Sequence, residues 1–228
     1  MYWTLAATIF VLSVPVALVA AQVNVLMFDP GYYLQGQGRH AVGRTTEYTL
    51  DRLRAVDAGI VAFFKQPNVA LPVALADEGA DRDVFNAREV GHMNDVRDIV
   101  RLIGRLENLA LTLIVAIAAA RFASRGRSAL GWVAGRALAG AAATLALVLA
   151  MGALTLVDFD QLFLAFHLIS FNNDLWQLDP RRDNLIRFFP FEFWFDATVT
   201  VALRTVFFAV VLAVAAWTVR RGEGRKAT

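Results

Sequence analysis

No cysteine occurs in the 228 residues, which excludes disulfides, thiolate metal sites and a cysteine nucleophile. Serine is nearly absent where chemistry would need it: across residues 29–98 and 158–195 only Ser170 is present. Neither a G-x-S-x-G elbow nor a P-loop is found, so those two routes to hydrolysis have no template here. Charge of one sign is also lacking, since the net charge is only +2. No basic face interleaved with aromatic residues stands out, and no nucleic-acid partner is expected.

Apolar residues are abundant. They make up 57% of the chain, against roughly 45–50% in typical soluble domains, and they fall in long runs. Residues 1–28 hold no charged side chain, and about 20 such residues cross a bilayer core. Leu18-Val19-Ala20-Ala21-Gln22 resembles a signal-peptide cleavage site, but no basic segment precedes the run, which exceeds the usual h-region. An uncleaved helix is the expectation. Further spans are expected at 99–120, 131–157 and 196–219. The loop 121–130 carries Arg121, Arg125 and Arg127 and no acid, and the tail 220–228 carries Arg220, Arg221, Arg225 and Lys226 against Glu223. The positive-inside rule puts both in the cytoplasm. Connectors 29–98 and 158–195, richer in acid than base, then lie outside. The expected architecture is an all-α membrane protein of four transmembrane helices. Its extracytoplasmic cap is mainly helical, and no internal repeat is found.

Within the first connector, Leu53, Val56, Ile60, Phe63 and Phe64 recur at helical spacing after a cap at Thr49 or Thr46. That face must bury against the membrane surface or the other connector. Val69–Leu75 and Asp83–Phe85 flank a turn-like Asp77–Asp81, compatible with a short β-hairpin. A second helical pattern begins near Asn86 and leads into the second span.

All three histidines fall in the connectors. His40, in Gly36-Gln37-Gly38-Arg39-His40, reads as an exposed loop residue. His92 lies in REVGHMNDVRDIV; on a helix it shares a face with Glu89 and Asp95, the pattern of a base beside an orienting carboxylate. The same spacing also describes an amphipathic helix end with solvated charges. His167 follows the third span, with Asn172 and Asn173 close behind as amide donors and Asp179-Pro180 as a turn. An interfacial histidine with a structural hydrogen bond is the plainer reading. The rings of Phe188, Phe189, Phe191, Phe193, Trp194 and Phe195 look first like an interfacial anchor. Arg204, about two turns into the fourth span, either snorkels or faces a cavity. Two imidazoles near one lipid–water boundary suit acid–base work on a lipid ester. They make a poor zinc site without a third ligand.

The stretch FHLISFNNDLWQLDP, followed by DNLIRFFPFEFW, resembles the membrane family that includes the bacterial lipoprotein intramolecular transacylases. REVGHMNDVRDIV is a second match ahead of the second span, and the four-span layout fits. The resemblance implies transfer of the sn-2 acyl chain from a lipoprotein's diacylglyceryl-cysteine to the α-amino group of that cysteine. It also implies that His92 and His167 are the functional pair, acting as acid and base. Glu89 or Asp95 would orient His92, while Asn172, Asn173, Asp179 and Arg204 are supporting or oxyanion candidates. The transfer runs downhill from ester to amide, so no cofactor and no metal is expected. The partners implied are a diacylated lipoprotein substrate and membrane lipid, at the bacterial cytoplasmic membrane. Two other classes compete. One is a lipid- or lipoprotein-binding protein without activity, and the other is a metal-dependent membrane hydrolase.

Overall fold

The structure, a computed structural model, describes residues 2–46, 48–71 and 84–226. Regular structure among them is helical, and most of the expected hairpin falls on residues outside them. The helices are α1 (Tyr2–Met27), α2 (Pro30–Arg39), α3 (Val42–Thr45), α4 (Leu50–Lys65), α5 (Ala87–Arg125), α6 (Ala129–Val157), α7 (Phe159–Ser170), α8 (Asn184–Phe188) and α9 (Phe191–Lys226). Two compact units form. One contains Met1–Val23, Ile103–Leu156 and Thr200–Thr228, the other Asn24–Leu102 and Val157–Val199.

The first unit is a helical bundle. Tyr2–Met27, the helical stretch Ala87–Val157 and Phe191–Glu223 are each long and apolar enough to cross a membrane. The middle stretch is divided at Gly126, whose φ of +55° is left-handed backbone that glycine adopts without a Cβ penalty. Beyond that break α6 begins. Its buried residues are mostly small, among them Ala134, Gly140, Ala141 and Thr144, and Ala7, Ser13, Ala17 and Ala20 are buried on α1. Small side chains let helix backbones approach where lipid removes any hydrophobic drive between them. The Thr144 hydroxyl donates to the Gly140 carbonyl at 2.9 Å, so its polar atom is satisfied within its own helix.

The second unit is built around a conventional hydrophobic core. Thr49 caps α4, its Oγ1 accepting from Arg52 N–H at 3.4 Å. Leu53, Val56, Ile60, Phe63 and Phe64 on α4 are buried with Tyr33, Phe85, Leu185, Phe188, Phe189 and Phe193. The apolar face of α4 is therefore covered by the other connector. This also corrects the reading of the aromatic run. Phe188, Phe189 and Phe193 are at most 6% exposed; they are core residues rather than membrane anchors. Edge-to-face contacts of Tyr33 with Phe189 at 5.4 Å and of Tyr48 with Phe188 at 4.9 Å hold them there. Segment 36–40 departs from expectation too. Asp29 caps α2 through Gly31 N–H with Pro30 starting the helix, so this glycine-rich stretch is helical. His40 ends it, 3.1 Å from the Asp196 carboxylate.

One buried polar pair stands out in this core. Gln37 Nε2 donates to Asp57 Oδ1 at 2.9 Å, while Gln37 Oε1 and Asp57 Oδ2 are buried without a partner among the described residues. A buried oxygen without a donor is costly, and protonation of the carboxyl removes its charge. Burial pushes the Asp57 carboxyl up to about 7, the Gln37 amide opposing. An unfolded aspartate titrates near ~3.9, so the folded chain holds this proton more tightly than the unfolded one. The stability it contributes is complete below about pH 4 and is lost as pH rises through about 7, on the order of 3–4 kcal/mol in all. Thermal denaturation of the detergent-solubilised protein should give a lower midpoint at pH 8 than at pH 5. In Asp57→Asn, which cannot titrate, this difference should shrink; an unchanged difference would place the titration elsewhere.

Candidate active site

His92 stands in the second turn of α5. Asn86 starts that helix, its Oδ1 accepting from the N–H groups of Arg88 at 2.9 Å and Glu89 at 3.1 Å, a side-chain cap on otherwise orphaned donors. His167 stands in the last turn of α7, a helix capped by Asp158 through Gln161 N–H at 3.0 Å. The chain leaves α7 at Phe171 in extended conformation and returns along α5. There the Arg88 guanidinium donates to the Asp174 carbonyl, and Asn173 Nδ2 donates to Asp95 Oδ2 at 2.9 Å. At Gly91 a Cβ would stand 2.8 Å from Leu175 Cδ1, so the glycine beside His92 is what allows this close approach.

The result brings the two imidazoles together, with ring centroids 6.2 Å apart and planes 30° from parallel. Phe171 packs on both, at 5.0 Å from His92 and 5.5 Å from His167. Phe163 at 4.3 Å, Trp176 at 5.0 Å and Phe166 at 5.3 Å complete the surround of His167. His167 Nδ1 lies 2.7 Å from the Phe163 carbonyl oxygen. That oxygen can only accept, so Nδ1 carries the hydrogen, and in the neutral ring Nε2 keeps its lone pair. His92 Nδ1 is buried with no partner among the described residues.

This enclosure disfavours charge. Burial lowers the pKa of His167, the Phe163 carbonyl opposing. His92 is pushed down to about 4, first by burial and then by His167, with Asp95 pulling the other way. Both shifts favour the neutral form of the ring.

The remaining candidates scatter into other roles. Glu89 is a correction: it shares the helix face but is not bonded to His92. Its Oε2 accepts from Asn86 N–H at 2.8 Å and its Oε1 from Leu185 N–H at 2.5 Å. It joins the start of α5 to the start of α8, and burial raises its pKa. Asp95 influences His92 through its charge and holds Asn173. Asn172 and Asn173 are exposed; the Asn173 carbonyl also accepts from Leu175 N–H at 3.0 Å. Asp179 is occupied by its own turn, accepting from Arg181 N–H at 3.0 Å. Arg204 belongs to the bundle unit, where its Nε donates to Gln22 Oε1 at 2.9 Å. Sequence patterns had not singled out Gly91, Trp176, Phe163 or Asp183. Asp183 is 1% exposed and accepts from Asn86 Nδ2 at 2.8 Å and Asp179 N–H at 2.7 Å. Among the described residues no three imidazoles and carboxylates gather as a metal-binding group.

Fold and site together define a helical membrane protein with two buried imidazoles in a largely aromatic enclosure. A family profile described as lipoprotein intramolecular transacylase Lit matches residues 8–194. The membrane-integral lipoprotein intramolecular transacylase Lit from Bacillus cereus superimposes with a TM-score of 0.81, covering 97% of each chain at 16% identity. A form of that protein with one histidine replaced by arginine gives 0.76, covering 99% of this chain and 94% of that one. At such identity the likeness is one of fold. An uncharacterized protein of Aquifex aeolicus (strain VF5) is 27% identical over 158 residues, 65% of this chain and 68% of that protein. The chain belongs to the lipoprotein intramolecular transacylase family. It is a membrane acyltransferase that acts in lipoprotein modification.

The low pKa of His92 is directly measurable. In protein labelled at the histidine ring, its carbon and nitrogen resonances should titrate near pH 4. His167→Gln should move that midpoint upward by removing the neighbouring imidazole at similar volume. A midpoint at the ordinary ~6.5 would mean that water reaches the ring freely.

Proposed function

We propose that this chain moves the sn-2 acyl chain of a lipoprotein's diacylglyceryl-cysteine onto the cysteine α-amino group, with His92 and His167 handling the protons. The observation carrying this reading is the pair of buried imidazoles 6.2 Å apart in a member of this family. An α-amino group titrates at about 7.7–8.0 and is mostly a non-nucleophilic ammonium at neutral pH. A neutral imidazole takes a proton from it, and the His167 tautomer presents a lone pair at Nε2 for such a step. The amine nitrogen then attacks the ester carbonyl within the same molecule, where good orientation is worth roughly 7–11 kcal/mol. The tetrahedral oxyanion needs donors, for which the amides of Asn172 and Asn173 are candidates. As the C–O bond breaks, an imidazolium returns a proton to the glycerol oxygen. After the attack the nitrogen sheds a second proton to an imidazole, so ester and ammonium become alcohol and amide with one proton released to water, and no cofactor is consumed.

The site is assigned to the extracytoplasmic side of the cytoplasmic membrane, with both termini cytoplasmic. Four spans follow if the helical stretch Ala87–Val157 turns back at Gly126. As one straight helix its 71 residues would run about 100 Å, several times the ~30 Å hydrocarbon core. Arg121, Arg125 and Arg127 flank that turn, which favours a cytoplasmic position.

The test is mass spectrometry of a lipoprotein's N-terminal peptide from cells lacking their own N-acylation route. Cells expressing the wild type should yield cysteine with one N-acyl and one O-acyl chain. His92→Ala and His167→Ala, at equal membrane expression, should each lower that product by about 10²–10⁴-fold, the usual contribution of a proton-transfer group. An unchanged diacylglyceryl peptide with well-folded wild type would overturn the assignment for that substrate. Full activity in either variant would remove that histidine from the mechanism.

A further inference from the structure

Far from the histidines in the sequence, the bundle unit holds a second concentration of polar groups that the proposed reaction does not use. The Arg121 guanidinium lies between two indoles, 4.6 Å from the Trp3 ring centre and 5.1 Å from that of Trp132. Arg136 approaches the same Trp132 ring at 6.0 Å. The Nε atoms of both arginines are buried and have no hydrogen-bond acceptor among the described residues. Neither α1 nor residues 108–157 contain a carboxylate. Beside this cluster an open apolar groove of about 320 Å³ runs between α1 and α5, lined by Tyr2, Trp3, Ala6, Ala116, Ile117 and Ala120.

We infer that this end of the bundle binds one phospholipid of net negative charge, its phosphate held by Arg121 and Arg136 and an acyl chain lying in the groove. A guanidinium presents its donors in a fork that matches phosphate oxygens, and unmet donors at low dielectric are costly without an acceptor. Stacking on Trp3 and Trp132 satisfies the faces of the cations and leaves their edges to the ligand. Tryptophan at this position also marks headgroup depth, where a lipid phosphate is already concentrated. The apolar groove selects lipid over a free anion, because inorganic phosphate has nothing to place there. A basic pocket between membrane helices that takes anionic headgroups has the expected physical form.

The experiment uses the full chain in detergent, with phosphatidylglycerol, phosphatidylcholine and inorganic phosphate as separate probes. Native mass spectrometry should find one phosphatidylglycerol retained per chain and at least tenfold less phosphatidylcholine. Phosphatidylglycerol should raise the thermal midpoint by several degrees, and inorganic phosphate should not. Arg121→Gln combined with Arg136→Gln should abolish both effects. So should Ala120→Phe, which keeps every charge and fills the groove. Arg125→Gln, which removes an exposed charge nearby in sequence, should retain both. Equal retention by the double variant, equal stabilisation by inorganic phosphate, or equal loss in Arg125→Gln would each overturn the site in favour of diffuse charge or a simple anion. Acyl transfer by the histidine pair can stand or fall independently of this result.

Discussion

The candidate site depends on a buried carboxylate that does no proposed chemistry. Glu89 is 1% exposed, and its two oxygens accept from Asn86 N–H at the start of α5 and Leu185 N–H at the start of α8. It thereby ties together segments 96 residues apart, one turn before His92. Asp183 repeats the device, accepting from the Asn86 side chain and the Asp179 backbone. A buried carboxylate that loses its donors is strongly destabilising, whereas one holding charge-assisted bonds to backbone N–H groups fixes a register. The register fixed here is that of the second connector against the first helical turns of α5.

That register has an electrostatic consequence. With the connector in place, Phe171 and Trp176 close around the imidazoles, water is displaced, and the charged form of each ring is disfavoured. The proposed reaction needs at least one imidazole to begin neutral while an ammonium is its partner. A wetter site would leave the histidines near their usual ~6.5, partly protonated at neutral pH and correspondingly weaker as acceptors. Asp95 moderates the effect from the other side, favouring the imidazolium that must exist transiently on His92 if that ring takes the proton. Aromatic burial and one carboxylate thus set opposing limits on the same group.

Much of the local structure was legible because it is local. Helical spacing identified the buried face of α4, and Thr49 was recognisable as its cap, since both are settled within a few residues. The three-residue spacing of Glu89, His92 and Asp95 correctly put them on one helical face. It could not say which backbone donors, far along the chain, would claim Glu89 first. The aromatic run near Pro190 was ambiguous for a similar reason: the same rings serve as a membrane anchor or as a core, and only the partner surface decides. Here α4 and Tyr33 supply that surface for Phe188, Phe189 and Phe193. Segment 36–40 misled by composition, since its glycines suggest a loop while Asp29 and Pro30, a few residues earlier, start a helix. The close approach at Gly91 was invisible because Leu175 lies in another segment.

The two units differ in how many of their buried polar atoms are met. In the bundle, hydroxyls such as Thr144 bond back to their own helix, which satisfies them in a lipid-like environment and specifies little. In the unit holding the histidines, polar groups reach across long sequence separations, as Glu89, Asp183 and Asn173 do. Long-range pairing of this kind costs more loop entropy to form but holds side chains to the fraction of an ångström that proton transfer requires. An intramolecular acyl transfer asks little else of a protein, because nucleophile and electrophile arrive already tethered. Orientation and proton handling are what remain to be supplied, and the second is the role proposed for the two buried histidines.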